Sequence, residues 1–480
     1  MKRLAFAAAL LIAAPASAQV EPARERLAGL ADFVDGVIAQ QIASREVAGA
    51  IVTVVADGKP VFTRGYGHAD VEAGRLVDGE ATLFRPGSTS KLFTWVALMQ
   101  QVERGRVDLD ADVDRYIDFT IPPFEGQPIR VRDLLTHSLG MSDVGGFMKE
   151  SPDQVVPFGD WIKQKLPERL WPTGTEVAYS NWGTALAGYI VQRVSGEPFA
   201  DYAERRIFRP LGMTSTTFRD PAGESMRARM ARGHAFKDGR LSPSAPQYIE
   251  SIMPAGSASS SAPDMARFML AMLNDGELDG ARILKRDSVA LLERDSIANA
   301  PDLPGMAHGY LVYRGAGPRL IGHAGATGEF HSNLVLAPEQ DIGFFVSVTG
   351  GNSSVARTEL SDAITGRLFP QAPAPRWTGT APAPRFGAYR GNRRDHSQPY
   401  DEARDLKVAA VGETALTIEA SGTKTYWERI GPDLYERVTG IAVGGPYDRL
   451  RFYGDGSRPR LSFASQPYMT YHLVAQETGG

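Results

Sequence analysis

The sequence contains no cysteine in its 480 residues. This absence excludes disulfide bonds, thiolate metal ligands and lipid attachment to a cysteine. The formal net charge is −4, so the basic excess of a nucleic-acid-binding protein is also missing. No segment reaches the roughly eighteen consecutive apolar residues that a membrane span needs. We therefore expect no nucleic-acid partner and no membrane span, and no cluster of residues suggests a metal or another cofactor.

The N-terminus has the pattern of an export signal. Lys2 and Arg3 supply a positive start, residues 4–14 form an apolar run, and residues 16–18 (Ala-Ser-Ala) provide small side chains for cleavage. We therefore predict that residues 1–18 are a signal peptide and that the mature protein is periplasmic or secreted.

The alternation of apolar residues predicts a sheet built from both ends of a large domain. Residues 24–46 have helical spacing, and the β-rich runs 50–56 and 61–66 flank Asp57 and Gly58, which predicts a hairpin. Helical segments alternate with Gly- and Pro-rich loops between about 105 and 320. Further strands are predicted at 309–313, 318–324, 332–337 and 342–348. The expected fold class is α/β, or α+β, with helices inserted within the sheet.

A proline-rich stretch divides the chain. Five prolines fall within residues 370–384, which is typical of a stiff linker. The predicted organisation is a catalytic domain over 19–369, a linker over 370–385 and a C-terminal domain over 386–480. Short alternating runs in that last segment predict a small antiparallel β-domain.

The strongest local motif for chemistry is Ser88-Thr-Ser-Lys91, which follows a Pro-Gly turn. In a helix that starts near Ser88, the two side chains lie one turn apart and can meet. A neutral lysine can take the proton of a serine hydroxyl and so make it a nucleophile. A second match, Ser421 and Lys424, falls in the strand-rich tail, where alternation separates such side chains. We interpret the second match as a chance occurrence.

Two further motifs occur once each. Tyr179-Ser-Asn181 begins a helical segment, and its tyrosine can relay a proton while its asparagine can bind an ammonium or a substrate amide. His323-Ala-Gly325 ends a predicted strand. Taken alone, each motif is compatible with a structural role, the first as a helix cap and the second as a histidine at a strand end.

In this order, the three motifs resemble those of serine β-lactamases, penicillin-binding DD-peptidases and related esterases, with spacings that suit the class C-like branch. The resemblance covers roughly residues 25–365. It implies a sheet flanked by helices together with an all-α lobe. It also implies that Ser88 is the nucleophile, Lys91 and Tyr179 its proton-transfer pair, and Asn181 a substrate-binding residue. The family needs no metal or cofactor.

The resemblance places the third motif on the wall opposite the nucleophile. His323 and Gly325 would line that edge strand, and the N–H groups of Ser88 and Ala326 would form the oxyanion hole. Histidine stands where many β-lactamases have a lysine that holds a substrate carboxylate. Glu329 and Phe330 follow, and we expect both near the pocket, where they would disfavour anions and favour apolar groups.

These features favour a carboxylesterase acting on small esters. β-Lactam hydrolysis and D-amino-acid peptide or DD-carboxypeptidase activity are the alternatives, so the substrate is a small ester, amide or lactam. An alternative of another class is an inactive pocket that binds muropeptide or another envelope ligand. The sequence does not indicate an oligomeric state.

The remaining polar residues receive structural interpretations. His137 lies among leucines, and we assign it to the core. The tail segment around Arg390 resembles the start of a lipocalin-like domain appended to some relatives. Two interpretations are open for Arg390, Arg393 and Arg394: they reach the mouth of the active site, or they form a solvated basic edge, which we favour. We expect the C-terminal domain to modulate access without taking part in the chemistry.

Overall fold

The structure, a computed structural model, describes residues 23–220, 222–313, 318–439 and 447–474. The predicted signal peptide lies outside these residues. The α-helices are α1 (Leu30–Ala43), α2 (Lys91–Glu103), α3 (Val131–Leu135), α4 (Phe158–Gln164), α5 (Asn181–Ser195), α6 (Phe199–Ala203), α7 (Glu224–Arg227), α8 (Met253–Gly256), α9 (Ala262–Leu273), α10 (Arg286–Glu293) and α11 (Ser353–Leu368).

A nine-stranded antiparallel sheet forms the centre of the larger body, with strand order β3-β2-β1-β13-β12-β11-β10-β9-β8. The strands from the first part of the chain are β1 (Gly49–Ala56), β2 (Lys59–Asp70) and β3 (Arg75–Leu76). Two separate ribbons follow, formed by β4 (His234–Lys237) with β5 (Arg240–Pro243) and by β6 (Glu277–Leu278) with β7 (Ala281–Arg282). The later strands of the sheet are β8 (Asp295–Ile297), β9 (Met306–Ala307), β10 (Leu311–Tyr313), β11 (Leu320–Ala326), β12 (Phe330–Ala337) and β13 (Ile342–Thr349).

The predicted hairpin is confirmed, and so is a sheet assembled from both ends of this body. Asp57 and Gly58 join β1 to β2 with φ values of 51° and 73°. Positive φ at both central residues characterises a type I′ turn, whose twist matches that of the flanking strands. The first helix is shorter than predicted, because Gly29 adopts a left-handed conformation and α1 begins only after it.

Both faces of the sheet are buried because alternate side chains point to opposite sides. On one face, Val52 and Val54 pack with α1 and α11. On the other, Ile51 and Val55 belong to the large cluster that includes α2 and α9. α2 is buried on all sides from Lys91 to Gln101, so it is the central helix of the fold. Among the helices between β3 and β8, α9 packs on the sheet against β1 and β13. The helices α2, α3, α4, α6 and α8 pack around α5 and form the helical lobe.

The C-terminal segment forms a closed eight-stranded antiparallel barrel. Its interior is lined by apolar side chains that include Tyr389, Leu416, Trp427 and Leu450. The predicted antiparallel, lipocalin-like architecture is therefore confirmed. The strands are β14 (Gly387–Gly391), β15 (Leu406–Val411), β16 (Ala415–Ala420), β17 (Thr423–Arg429), β18 (Leu434–Thr439), β19 (Arg449–Tyr453), β20 (Arg460–Phe463) and β21 (Tyr471–Leu473).

Residues 370–385 contain no regular secondary structure and lie against the barrel. Trp377 N donates to the carbonyl of Arg429, whose guanidinium stacks 4.6 Å from the Trp377 ring centroid. The domain boundaries given above stay a prediction. Within the described parts of the chain, no helix combines the length and the apolarity that crossing a membrane requires.

Hydrogen bonds to main-chain carbonyl groups join the barrel to the helical lobe. Asp143 N donates to the carbonyl of Arg394 at 2.9 Å, and Tyr179 N donates to the carbonyl of Tyr468 at 2.9 Å. Asn392 Nδ2 donates to the carbonyl of Val177 at 3.1 Å. The loop after β14 is therefore held directly against the start of α5.

Candidate active site

The turn before α2 presents Ser88. Residues Gly87–Ser90 form a 3₁₀ turn that leads directly into α2. Gly87 has φ 56°, and an added Cβ there would lie 2.7 Å from Ala326 N, so only glycine fits. Thr89 Oγ1 donates to the carbonyl of His323 at 3.1 Å and ties the turn to β11. Ser88 is thus fixed between the central helix and the edge of the sheet.

Lys91 meets Ser88 as the spacing predicts. Its Nζ lies 3.2 Å from Ser88 Oγ, 2.9 Å from Asn181 Oδ1 and 2.5 Å from the carbonyl oxygen of Ala255. A neutral amine has two N–H groups and one lone pair. Asn181 and Ala255 offer only acceptors in these contacts and take both N–H groups, so the lone pair is directed towards Ser88. This is the geometry of a general base.

The surroundings of Lys91 favour its neutral form. Its side chain is completely buried, and this burial lowers the pKa of Lys91 well below the ordinary value, with a further contribution from the positive charge of Arg393. Asp143 acts in the opposite direction. The balance lowers the pKa of Lys91 and so favours the neutral amine, which is the form that can act as a base.

The Tyr179-Ser-Asn181 motif both caps a helix and contributes to the site. Ser180 Oγ accepts a hydrogen bond from Gly183 N at 2.9 Å, which caps the N-terminus of α5. Asn181 is the first residue of α5, and its N–H donates to Asp143 Oδ1 at 3.1 Å. The two interpretations of this motif are therefore compatible.

Tyr179 is buried next to Ser88. Its ring lies 4.9 Å from Lys91 Nζ and 4.3 Å from the guanidinium of Arg393. Burial raises the pKa of the Tyr179 phenol, so the group is a neutral O–H at physiological pH. Its hydroxyl has no hydrogen-bond partner of good geometry among the described residues, although Ser88 is near enough to influence its titration. It can donate to an incoming substrate.

His323 lies on β11 and is 2% exposed. Its Nδ1 is 2.6 Å from the carbonyl of Ala324, which can only accept, so Nδ1 carries the proton. Burial, reinforced by Lys91 and Arg393, lowers the pKa of His323 to about 3. The residue is therefore neutral at physiological pH and cannot replace a lysine as a cation.

Gly325 and Ala326 complete the wall opposite the nucleophile. Both residues line the same cavity as Ser88, with a volume of about 330 Å³. A Cβ added to Gly325 would lie 1.9 Å from the carbonyl oxygen of Pro86 and 3.0 Å from Ser88 N. The absence of a side chain thus allows β11 to approach the nucleophile turn, as an oxyanion hole made of Ser88 N and Ala326 N requires.

The rest of the cavity has an apolar part and a cationic part. Phe147, Met148, Ile249 and Ile252 contribute to the apolar wall. The guanidinium groups of Arg357, from α11, and Arg393, from the barrel, line the same cavity, and so does Tyr468.

The interpretation of Arg393 as part of a solvated edge was wrong. Its side chain is 33% exposed, stacks on Tyr179 and lies 3.5 Å from Asp143 Oδ2. Arg390 instead pairs with Asp405 inside the C-terminal segment at 2.8 Å, and Arg394 stacks on Tyr400. Of the three arginines, Arg393 is the one that the barrel contributes to the active-site wall.

The expected positions of Glu329 and Phe330 were also wrong. Both residues line a neighbouring cavity with Arg85 and Asp220, not the cavity that contains Ser88. Thr327 N donates to the carbonyl of Phe330, so the chain turns back after β11 and directs these side chains away.

His137 is buried, as predicted, and it also contacts the site. Its ring lies 4.4 Å from that of Tyr179, and its Nδ1 accepts from Ser180 N at 3.2 Å.

Sequence reasoning also missed Tyr468 and Ala255, for which no local motif exists. Ser421 lies in an exposed turn and Lys424 in the strand β17 that follows it, and the structure shows no hydrogen bond between their side chains.

Comparisons with known proteins agree with this geometry. The family model described as Beta-lactamase matches residues 34–367. Penicillin-binding protein 4 of Amycolatopsis lactamdurans is 29% identical over 302 residues, which cover 60% of this chain and 77% of that protein. The structure of D-amino acid amidase from Ochrobactrum anthropi SV3, complexed with L-phenylalanine amide, is 25% identical with a TM-score of 0.59 and covers 71% of this chain and 97% of its own.

A second similar structure extends over both bodies of the fold. The octameric penicillin-binding protein homologue from Pyrococcus abyssi has a TM-score of 0.62 at 23% identity, and the match covers 92% of this chain and 99% of that one. At this level of identity the similarity concerns the fold alone. No grouping of three or more His, Cys, Asp or Glu side chains suited to a metal ion occurs in the described ranges.

Proposed function

The chain belongs to the β-lactamase family of serine hydrolases, and from this premise we propose that it hydrolyses small carboxylic esters through an acyl-enzyme on Ser88. The observation that carries the proposal is the set of contacts at Lys91. Two acceptors occupy its N–H groups, and the remaining direction points to Ser88 Oγ at 3.2 Å.

In the proposed acylation step, Lys91 takes the Ser88 proton while Oγ bonds to the substrate carbonyl carbon. The N–H groups of Ser88 and Ala326 would stabilise the oxyanion. The Tyr179 hydroxyl would donate a proton to the leaving oxygen and recover one from the Lys91 ammonium. A water molecule then attacks the acyl-enzyme by the same relay in reverse, which releases the acid and restores Ser88.

The ester preference rests on the apolar wall and on what ester cleavage requires. Phe147, Met148 and Ile249 offer a surface for an apolar acyl or alkoxy group. Ester hydrolysis needs only the nucleophile, the proton relay and the oxyanion hole. The sequence-based argument from Glu329 no longer contributes, because that side chain lines another cavity.

A second candidate is hydrolysis of β-lactams or D-amino-acid peptides and amides. Its support is the cationic part of the wall, where Arg357 and Arg393 can attract the carboxylate of such a substrate. The relatives named as a penicillin-binding protein and a D-amino acid amidase agree with this candidate. A charge-assisted contact contributes about 1.5–3 kcal/mol, so it can decide preference without forbidding esters.

The first experiment identifies the nucleophile. A fluorophosphonate should add once, on Ser88, as detected by peptide mass spectrometry. Ser88→Ala should abolish labelling and turnover, while the matched control Ser421→Ala should keep both. An adduct on Ser421, or none at all, contradicts the proposal. Absence of turnover combined with tight muropeptide binding would favour the alternative of an inactive binding protein.

The second experiment compares classes of substrate and includes one pair of esters that differ by a carboxylate. We expect kcat/KM for p-nitrophenyl butyrate to exceed that for nitrocefin, for a D-Ala-D-Ala peptide and for phenylalanine amides of D configuration. Mono-p-nitrophenyl glutarate keeps the leaving group and adds a carboxylate to a similar acyl chain, so it measures the effect of the two arginines. A preference for the lactam or the peptide would contradict the ester proposal and support the second candidate.

We also propose that the protein acts after export. The support is the pattern of residues 1–18 alone. N-terminal sequencing of the protein from the periplasm or medium should show a chain that begins at Gln19, whereas an uncleaved cytoplasmic chain would contradict this proposal.

A further inference from the structure

The barrel supplies a cation to a site whose own third motif lacks one. β11 carries His323 where many β-lactamases have lysine, and that histidine is neutral because burial lowers its pKa to about 3. Arg393, from the loop after β14, lines the cavity with Ser88 and stacks 4.3 Å from the centroid of Tyr179. Lys91 Nζ lies 4.9 Å from the same centroid. Two basic side chains therefore contact one aromatic ring.

The position of Arg393 is fixed by the residues on either side of it. Asn392 Nδ2 donates to the carbonyl of Val177, and Asn392 Oδ1 accepts from Thr470 N at 3.0 Å. On the other side, the carbonyl of Arg394 accepts from Asp143 N at 2.9 Å. The residue before Arg393 is therefore bonded to Val177, and the residue after it to Asp143. These two attachments hold the Arg393 guanidinium over the ring of Tyr179.

We infer that Arg393 is a positioning residue of the catalytic site, whose positive charge adds to the burial of Lys91 in favouring the unprotonated, basic form of that amine. The inference rests on the proposed function, in which Lys91 is the base for acylation of Ser88. On this inference the barrel is part of the active site and does more than modulate access to it.

The pKa of Lys91 depends on its burial and on two charged neighbours, Arg393 and Asp143. Ser88, Asn181 and the carbonyl of Ala255 contact the amine and are uncharged. Tyr179 is a neutral phenol, because burial raises its pKa. Burial likewise lowers the pKa of His137 well below the usual value and leaves it neutral.

Asp143 is the opposing charge. Its Oδ2 lies 3.5 Å from Arg393 Nε, and its Oδ1 accepts from Asn181 N. Its negative charge raises the pKa of Lys91, whereas that of Arg393 lowers it. Removal of either charge should therefore move the titration of Lys91, in opposite directions for the two residues.

The test is the pH dependence of the rate constant for Ser88 phosphonylation by a fluorophosphonate, measured on the full-length protein between pH 5 and 10. Neutral Lys91 is the active form, so the rate rises with pH through its pKa. Arg393→Gln should move this rise about one pH unit higher, with about tenfold slower labelling below it and little change on the plateau. Arg393→Lys should keep the wild-type profile, and Arg394→Gln, whose side chain stacks on Tyr400, is the matched control.

Asp143→Asn tests the same electrostatic balance from the other side, and it can be measured if Arg393→Gln does not fold. Its effect on the pH profile should have the opposite sign. It retains Oδ1 for Asn181 N and removes the negative charge, so the rise should move to lower pH. An equal loss for Arg393→Gln at every pH, or a shift of both variants in the same direction, would overturn the inference. Absence of a Ser88 adduct in the wild type would instead refute the proposed function, so the two failures are distinguishable.

Discussion

Lys91 Nζ lies 3.2 Å from Ser88 Oγ, one turn away along the same helical segment. This contact depends on the i,i+3 geometry at the start of α2 and on complete burial of the lysine. Burial lowers the pKa of the amine and so favours its neutral form, and the helix start places Ser88 at the cavity. The nucleophile and its base are thus products of one local structure.

Replacement of Lys91 by methionine should reduce the rate constant for Ser88 phosphonylation by about 10²–10⁴-fold, the usual contribution of a positioned general base. Methionine keeps most of the buried volume, so the fold should survive, as circular dichroism can check. Lys59→Met, at an exposed strand position, is the control and should label at the wild-type rate. A loss below about threefold for Lys91→Met would contradict its role as the base.

His323 should make the protein less stable as the pH falls. Its pKa is about 3 in the folded state and about 6.5 in the unfolded chain. Between these values the unfolded state binds more protons, so the free energy of unfolding rises with pH in this window. One such histidine contributes up to about 1.4 kcal/mol per pH unit, lost progressively as the pH drops below 6.5.

Urea unfolding of the wild type and of His323→Gln at pH 7.5, 6.0 and 5.0 measures the contribution of His323. It is the difference between the two proteins in the free energy of unfolding at each pH. The comparison is needed because Glu293 and Asp362, whose pKa values burial raises to about 7, act in the opposite direction. Their contribution is the same in both proteins and cancels. If the two proteins lose the same free energy between pH 7.5 and 5.0, His323 does not have the depressed pKa.

Gly325→Ala should impair both activity and stability. The added methyl group would meet the carbonyl oxygen of Pro86 at 1.9 Å, so β11 or the Ser88 turn must move. Overpacking of this kind typically costs about 1–3 kcal/mol, and a displacement of about 1 Å at a catalytic group can slow turnover about a hundredfold. Gly36→Ala, with open space around its Cβ in α1, should affect neither labelling nor folding adversely.

Local patterns in the sequence predicted the parts of the structure that depend on near neighbours. Asp57 and Gly58 indicated the hairpin because their turn type is set by two adjacent residues. Ser88 and Lys91 were paired correctly because a helix brings residues three apart together. Ser180 and Asn181 show a limit of such reasoning, since one short motif serves as a helix cap and as a site residue at once.

Long-range contacts explain what the sequence did not predict. Arg393 reaches the site because the barrel loop bonds to Asp143 and Val177, which are far from it in the chain. Nothing in the composition of this segment distinguishes the arginine that contacts the site from Arg390 and Arg394, which bind within the C-terminal segment. Glu329 was misplaced for the same reason, since the turn that closes at Phe330 decides which cavity it lines.

A buried ion pair next to the site should be important for stability. Arg85 and Asp220 are 7% and 9% exposed, and their nearest atoms lie 2.5 Å apart. Asp220 Oδ2 also accepts from Ile249 N at 2.7 Å, and Ile249 belongs to the wall of the Ser88 cavity. Asp220→Ala would leave a buried guanidinium and a main-chain N–H without their acceptor. We expect a loss of about 3–5 kcal/mol in the free energy of unfolding.

Chemical denaturation of three variants separates the two functions of the carboxylate. Asp220→Asn removes the charge of the ion pair but keeps an acceptor for Ile249 N. The cavity wall and KM should therefore change less than in Asp220→Ala.

The matched surface pair is Arg219 with Asp201, which are 49% and 44% exposed. Solvent screens such pairs, so Asp201→Ala should cost less than about 1 kcal/mol. Equal losses for Asp201→Ala and Asp220→Ala would show that burial does not set the energy of the inner pair. An unchanged KM in Asp220→Ala would show that Ile249 holds its place in the wall without that hydrogen bond.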